Sequence, residues 1–267
     1  MLIIGETLNA ALPSVGQAVI SRDRDLLTSL AHSQVEAGAQ MLDVNAGGLA
    51  GHDEVADLVW MIETVQEAAS VPLILDSSLP EALRAALAVY RGPRPFLSSM
   101  TGEAARVQGV LPLAVEHGTG VVALCMDENG IPATADGRLA IAEHLLESAT
   151  AAGLQPEDLY FDPLVLAVSS DHRAGAVTLE TLQAIVRRWP EVRTVCGMSN
   201  VGFGLPRRRL LNRTFGSMLV YCGLSAFILD VRDRALVSTL LAAQVLAGND
   251  PWCRTYLRSH RAGKLEG

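Results

Sequence analysis

Thr194-Val195-Cys196-Gly197-Met198-Ser199-Asn200-Val201-Gly202-Phe203-Gly204-Leu205-Pro206-Arg207-Arg208 passes from a short apolar run, through a polar glycine-rich loop, into a helix-like segment opening near Arg209. A strand, a loop and a helix in that order make one βα unit. Asn200, at the strand tip, offers a donor and an acceptor, and backbone can approach closely at Gly202 and Gly204. Such a tip suits a flat polar ligand. An ordinary connecting loop would read the same way if it stood alone.

It does not stand alone. Apolar strand candidates recur at Leu2–Glu6, Met41–Asn45, Leu73–Asp76, Pro95–Ser98, Gly120–Leu124, Leu159–Asp162, Thr194–Gly197 and Ala226–Leu229. Helical patterns lie between and after them, near 22–38, 54–69, 80–90, 104–117, 138–152, 176–189, 208–222 and 233–247. Ser78-Leu79-Pro80-Glu81 reads as a helix start, with proline and an acid in the first turn. Gly38 and Gly118 read as helix ends, each supplying a left-handed cap. Eight strand–helix units without a polar linker predict an α/β fold, a (β/α)8 TIM barrel in one domain over 1–267. An open doubly wound sheet would carry a GxGxxG after its first strand, and none is present.

The balance of residues narrows the function. With 21 Lys and Arg against 29 Asp and Glu, the net charge is −8, which argues against non-specific nucleic-acid binding. Arg254, Arg258 and Arg261 read as a small solvated basic end. Met1-Leu2-Ile3-Ile4 leads straight into Gly5-Glu6 without a signal-peptide pattern, and no apolar run would cross a bilayer, so a cytoplasmic protein without a membrane partner is expected. Cys125, Cys196, Cys222 and Cys253 form no CxxC pair and read as free, mostly buried thiols. The six histidines are scattered, so no bound metal is expected. Asp171-His172, after the sixth strand, is the one His-bearing pair within reach of a barrel mouth, and no Gly-x-Ser-x-Gly elbow appears.

Barrel active sites lie at the C-terminal strand ends. Here those ends carry Glu6 and Asn9, Asp43 and Asn45, Asp76, Ser98 and Ser99, Asp162, and Ser199 with Asn200. Each has a local reading: Asp76 as a helix cap, Asp162 as a turn former before Pro163, Asp43 and Asn45 as loop anchors. Together, so many acids and amides at one mouth are costly unless a polar ligand meets them. Carboxylates and amides recognise a fused ring with an amino-amide edge; a pterin is one such ring, though the residues alone do not force that choice.

The ordered motifs Leu2-Ile3-Ile4-Gly5-Glu6, Leu42-Asp43-Val44-Asn45, Leu75-Asp76-Ser77, Leu113-Ala114-Val115-Glu116-His117-Gly118, Gly130-Ile131-Pro132, Asp158-Leu159-Tyr160-Phe161-Asp162-Pro163-Leu164, Gly197-Met198-Ser199-Asn200-Val201 and Leu211-Asn212-Arg213-Thr214-Phe215 span almost the whole chain. In these the chain resembles the pterin-binding methyltransferases that move a methyl group between methyltetrahydrofolate and a corrinoid protein. More distantly it is similar to the pterin domain of cobalamin-dependent methionine synthase. The resemblance implies a dihydropteroate-synthase-like barrel. Asp76 and Asp162 would hydrogen-bond the amino-pyrimidine edge, and Asn200 would reach N5. Gly197, Ser199, Phe203 and Arg208 would line the same loop, with Ser98 in the substrate pocket. Glu6, Asp43 and Asn45 would support them. A tetrahydrofolate substrate, a cobalamin or other corrinoid carried by a partner protein, and a homodimer follow from the same resemblance; the apolar helix at Ala235–Leu246 reads equally as a surface for the dimer or as an outer helix packed on the barrel.

Two departures stand out. Ser98 replaces an asparagine of the corrinoid/iron–sulfur protein methyltransferases, and Gly202 falls where related loops often carry serine. Methyl transfer from N5 needs a proton there as the carbon–nitrogen bond breaks. Asn200 has no acidic proton to give, so its role would be a hydrogen bond that strengthens in the transition state. Two other functions compete: a pterin- or corrinoid-binding module without turnover, favoured by Ser98, and dihydropteroate synthase, whose serine-rich amino-terminal loop and late lysine motif are missing here.

Overall fold

Parallel strands close into a barrel in chain order in this computed structural model, which describes residues 1–266. The strands are β1 (Leu2–Asn9), β2 (Met41–Asn45), β3 (Leu73–Asp76), β4 (Phe96–Met100), β5 (Gly120–Leu124), β6 (Leu159–Asp162), β7 (Arg193–Gly197) and β8 (Ala226–Leu229). Helices α1 (Pro13–Ser21), α2 (Arg24–Ala37), α3 (Glu54–Ala68), α4 (Pro80–Val89), α5 (Ala104–His117), α6 (Ala135–Ala151), α7 (Ala174–Arg188), α8 (Arg208–Tyr221), α9 (Arg234–Leu246) and α10 (Arg254–Arg261) alternate with or follow them. The (β/α)8 barrel expected from the pattern is what forms. Two helices depart from it. α1 precedes the expected first helix, opening on Pro13 and ending at Arg22 in the left-handed region. The basic end winds into α10, whose arginines stay exposed.

Strand residues divide by parity, because successive side chains point to opposite faces. Leu42, Val44, Leu73, Leu75, Leu97, Val121, Ala123, Phe161, Cys196 and Phe227 face outward and join the helices in one large core. Ile4, Met41, Ile74, Phe96, Val122, Tyr160, Val195 and Ala226 face inward and fill the barrel's middle. This second cluster is the plug on which the site rests. Burying each large apolar side chain contributes roughly 1.5–3 kcal/mol.

β1 breaks its ladder with β2 between Gly5 and Leu8. The freed Thr7 N–H donates to the buried Gln34 Oε1 of α2 at 3.1 Å. A Cβ on Gly5 would meet that same oxygen at 2.3 Å, which is why glycine stands there. The bulge lets Glu6 face the interior while Leu8 packs outward.

Candidate active site

Two residues beyond each inward-facing plug residue lies the layer at the mouth. Ile4 leads to Glu6, Met41 to Asp43, Ile74 to Asp76, Phe96 to Ser98, Tyr160 to Asp162 and Val195 to Gly197. Four of these are acids, whereas Val122 leads to Leu124 and Ala226 to Ile228, so the interior turns acidic over part of the mouth and stays apolar elsewhere. Asn45 follows Asp43 on the same face, and Asp230 follows Ile228 beyond β8. Asp230 is a site neighbour that a search ending at Leu229 missed; strand parity carried one residue further would have found it.

Neighbouring strands tie the acids together. Asn45 Nδ2 donates to Asp76 Oδ2 at 2.6 Å, while Asn45 Oδ1 accepts from Gly47 N at 2.7 Å. Asn45 thus both anchors its loop and aims Asp76. Ser98 is the residue paired with Asp76 across β3 and β4, and its hydroxyl holds the aspartate's pKa down against burial. Asp76 does not cap α4: that helix begins after Leu79 without a side-chain cap. Asp162 Oδ1 accepts from Leu164 N at 2.7 Å, an Asx turn across Pro163 that fixes the carboxylate's orientation.

Two buried arginines, unforeseen in the sequence, fasten these strand ends. Arg106 of α5 donates to the carbonyls of Ser77, Ser78 and Ser99, joining the loop after β3 to the end of β4. Arg138 of α6 donates to Pro132 O at 3.0 Å, Pro163 O at 2.6 Å and Leu164 O at 2.8 Å. Ser77 Oγ further donates to Glu54 of α3. Helical periodicity gave no sign of either arginine, since each is oriented by carbonyls distant in the chain.

Burial shapes the titration of the ring. It pushes Asp162 up to about 7, against the Leu164 N–H and the Arg138 cation. It pushes Glu6 up to about 7 as well, aided by the Asp230 carboxylate and opposed by the Asp230 N–H, Arg208 and the Ser199 hydroxyl. Asp43, only 8% exposed, rises well above the usual carboxylate range through burial, then through Asp76 and Glu6. Its Oδ1 is buried with no hydrogen-bond partner. Asp76 rises through burial, with Asn45, Ser98 and Arg106 restraining the shift. Donors are the missing complement of this ring.

The fourth side is the loop after β7. Met198–Gly202 forms a 3-10 turn that leaves Ser199 half-buried and Asn200 exposed at the rim. Arg208 Nη2 donates to Ser199 O at 3.0 Å, and Phe203 stands 64% exposed. A Cβ on Gly202 would meet Asn212 Oδ1 at 2.7 Å and Arg208 at 3.1 Å, so a serine there would have to turn the Asn212 amide aside and push Arg208 back slightly. Gly197 is different: its φ is −78° and a Cβ there would meet nothing within 4 Å. Glycine at 197 leaves open space over the barrel mouth. His172 faces solvent with its side chain 93% exposed.

Acidic residues that accept, a serine and an amide that donate or accept, and an open glycine floor together recognise a flat ring with several N–H groups. Residues 5–230 match the family described as pterin binding enzyme. The chain belongs to that family. Over 267 residues it is 33% identical to the methylcorrinoid:tetrahydrofolate methyltransferase of Eubacterium limosum, spanning 99% of this chain and 98% of that one. It is 31% identical over 228 residues to methionine synthase of Mycobacterium tuberculosis, 80% of this chain against 19% of that much longer one. In structure it is similar to the dihydropteroate synthase of Yersinia pestis, with a TM-score of 0.66, 17% identity and coverage of 92% and 93% of the two chains. That last likeness is one of fold. Among the described residues no cluster of His, Cys, Asp or Glu is arranged to hold a metal ion, and no helix is long and apolar enough to cross a membrane.

Proposed function

We propose that this protein transfers a methyl group between N5 of 5-methyltetrahydrofolate and the cobalt of a corrinoid carried by a partner protein. The carrying observation is the acidic layer facing the open space at Gly197. Asp76 and Asp162 accept hydrogen bonds from the amino-pyrimidine edge, which add to the single donors, Asn45 and the Leu164 N–H, that these desolvated carboxyls have in the protein. Ser98 and Asn45 hold Asp76 in place, so serine at 98 supports the aspartate even without the amide of an asparagine. Phe203 and Arg208 flank the outer part of the folate, and the exposed rim leaves room for the corrinoid above it.

Asn200 extends from the rim to N5. Its amide carries no acidic proton, so it stabilises the protonating nitrogen by a hydrogen bond that tightens in the transition state. The corrinoid supplies the cobalt chemistry as the second substrate. Mixing the protein with methyltetrahydrofolate and chemically reduced cobalamin should give the methylcobalamin spectrum. Asn200→Ala should slow transfer by roughly 10–1,000-fold, with folate affinity changed far less. Clear folate binding without transfer, to cobalamin or to a native corrinoid protein, would leave the non-catalytic binding module as the reading.

The partner of the fold is a second copy of itself. α8 presents Leu210, Met218 and Tyr221 outward, the last 78% exposed, beside a groove that also takes in Leu179 and Thr239. α9 sends Leu236 and Leu240 into the core instead, leaving Leu246 exposed. Light scattering should therefore give twice the chain mass, and Tyr221→Glu should return the monomer.

A further inference from the structure

The mouth is acidic, yet the rim beside it is basic. Past the loop of Asn200 the chain runs Pro206-Arg207-Arg208-Arg209 into α8, and all three arginines are exposed. A groove of about 440 Å³ separates Arg209 from the exposed Arg232 and Arg234 at the start of α9, and it reaches Asp230 at the barrel mouth. Acids answer only part of this charge. Asp230 is taken by Arg232 at 2.8 Å. Asp233 caps α9 through the Leu236 N–H at 3.0 Å and pairs with Arg213 at 3.1 Å, leaving Arg209 at 3.9 Å with 81% of its side chain exposed. Glu266 is the groove's one further acid, and Arg234 gives an N–H to the Gly263 carbonyl. Arg207 and Arg208 enter no ion pair among the described residues. The whole chain carries −8, so this local excess of cations runs against its mean field. The loop that presents it is pinned, with Ser169 Oγ donating to Phe203 O at 2.7 Å.

We propose that this groove binds the glutamate tail of the folate and favours substrates extended by several γ-linked glutamates. The proposal rests on the methyl-transfer reading given above. The direction of the tail follows from where the ring is held. N5 is bonded directly to C6, and C6 carries the aminobenzoyl-glutamate tail. With the amino-pyrimidine edge on Asp76 and Asp162 and N5 at Asn200, the tail leaves the mouth beside the loop after β7. Phe203, 64% exposed, offers a face for the benzoyl ring. The first glutamate then meets Arg207 and Arg208, and later ones pass Arg209 toward Arg232 and Arg234. Each added glutamate brings one more carboxylate, which a guanidinium grips through paired N–H donors. A single exposed ion pair changes affinity by about fivefold at most, so discrimination emerges only when several carboxylates engage together.

The test compares the mono- and triglutamate forms of 5-methyltetrahydrofolate by calorimetry, in low salt and in about 0.5 M salt. Wild type should bind the triglutamate at least about tenfold more tightly in low salt, and screening should cut that preference to about threefold or less in high salt. Arg209→Gln combined with Arg234→Gln should cut it to about threefold even in low salt, with the monoglutamate Kd held within about threefold. Asp233 keeps Arg213 in that variant, so the cap of α9 and the melting temperature should hold. Arg258→Gln removes an exposed cation of α10 outside the groove and should leave the preference intact. Equal binding of the two forms by wild type overturns the tail site. A preference that survives in the double variant overturns it too, and slowed transfer to a corrinoid protein in that variant would then give these arginines to an acidic face of the partner. Methyl transfer from the monoglutamate to Co(I) cobalamin, measured on the same preparations, checks the parent reading separately. Transfer without a glutamate preference removes the tail site alone, whereas failure to bind either form removes both.

Discussion

Gly197 and Gly202 lie five residues apart and do opposite things. Gly202 is favoured by its neighbours, since Asn212 and Arg208 crowd the space a Cβ would need. Gly197 is required by nothing in the protein itself. Gly197→Val should therefore fold with a melting temperature close to wild type, yet lose folate affinity by at least tenfold, because the isopropyl group occupies the ligand's place. A variant that still binds folate normally would put the ligand elsewhere. The sequence offered both glycines as features of one loop and could not tell them apart: backbone freedom is visible in the residue type, whereas the space around it is set by α8 and by the interior. Asp76, Asp162, Asp43 and Glu6 were legible because each closes a short apolar run. Asp230 was not, because it falls past the end of its strand.

At the scale of elements, boundaries read from apolar runs agree closely with the strands, as at Met41–Asn45 and Leu159–Asp162, because buried parallel strands are continuous apolar segments. The helices were equally plain where glycine or proline punctuates them: Gly38 and Gly118 adopt φ of 112° and 60° at the ends of α2 and α5. α1 was missed altogether: it precedes the helix expected near 22–38 and is set off from α2 by Arg22 in the left-handed region, which no turn rule favours. What helices do for the site was hidden as well. α6 exists partly to carry Arg138 to three carbonyls around the loop of Asp162. Arg138→Met should leave those buried acceptors unpaired and cost roughly 2–4 kcal/mol of stability in urea unfolding. It should also raise the Asp162 pKa further, because a neighbouring cation has gone. Unchanged stability would mean that water replaces the guanidinium at no cost.

For the molecule as a whole, the acidic mouth couples folding to pH. Glu6 and Asp162 bind protons in the folded state up to about pH 7, whereas in the unfolded chain they titrate near their ordinary values of 4.5 and 3.8. Between those limits the native state holds more protons than the unfolded one, so stability falls as pH rises through this window and levels off above about 7. Asp43 and Asp76, also raised, act in the same sense. Asp230, held low by Arg232 against its own burial, acts oppositely at lower pH, where protonation removes its contribution. The unliganded protein should accordingly melt highest in mildly acidic buffer and several degrees lower at pH 8, as scanning calorimetry would register. Saturating folate should flatten that slope by donating N–H groups to Asp76 and Asp162, and a slope indifferent to folate would count against their contact with it.

The parity that builds the mouth also sets how this chain can vary by descent. β3 and β6 are each four residues long and place one acid in the interior after one plug residue. Losing or gaining a single residue there would turn the acid toward the helices and an outward Leu or Phe toward the ligand. Length changes among descendants of this barrel must therefore collect in the loops. Aligned with its relatives, the chain should show gaps between strands and almost none within them, a pattern imposed by geometry before any selection on the chemistry begins.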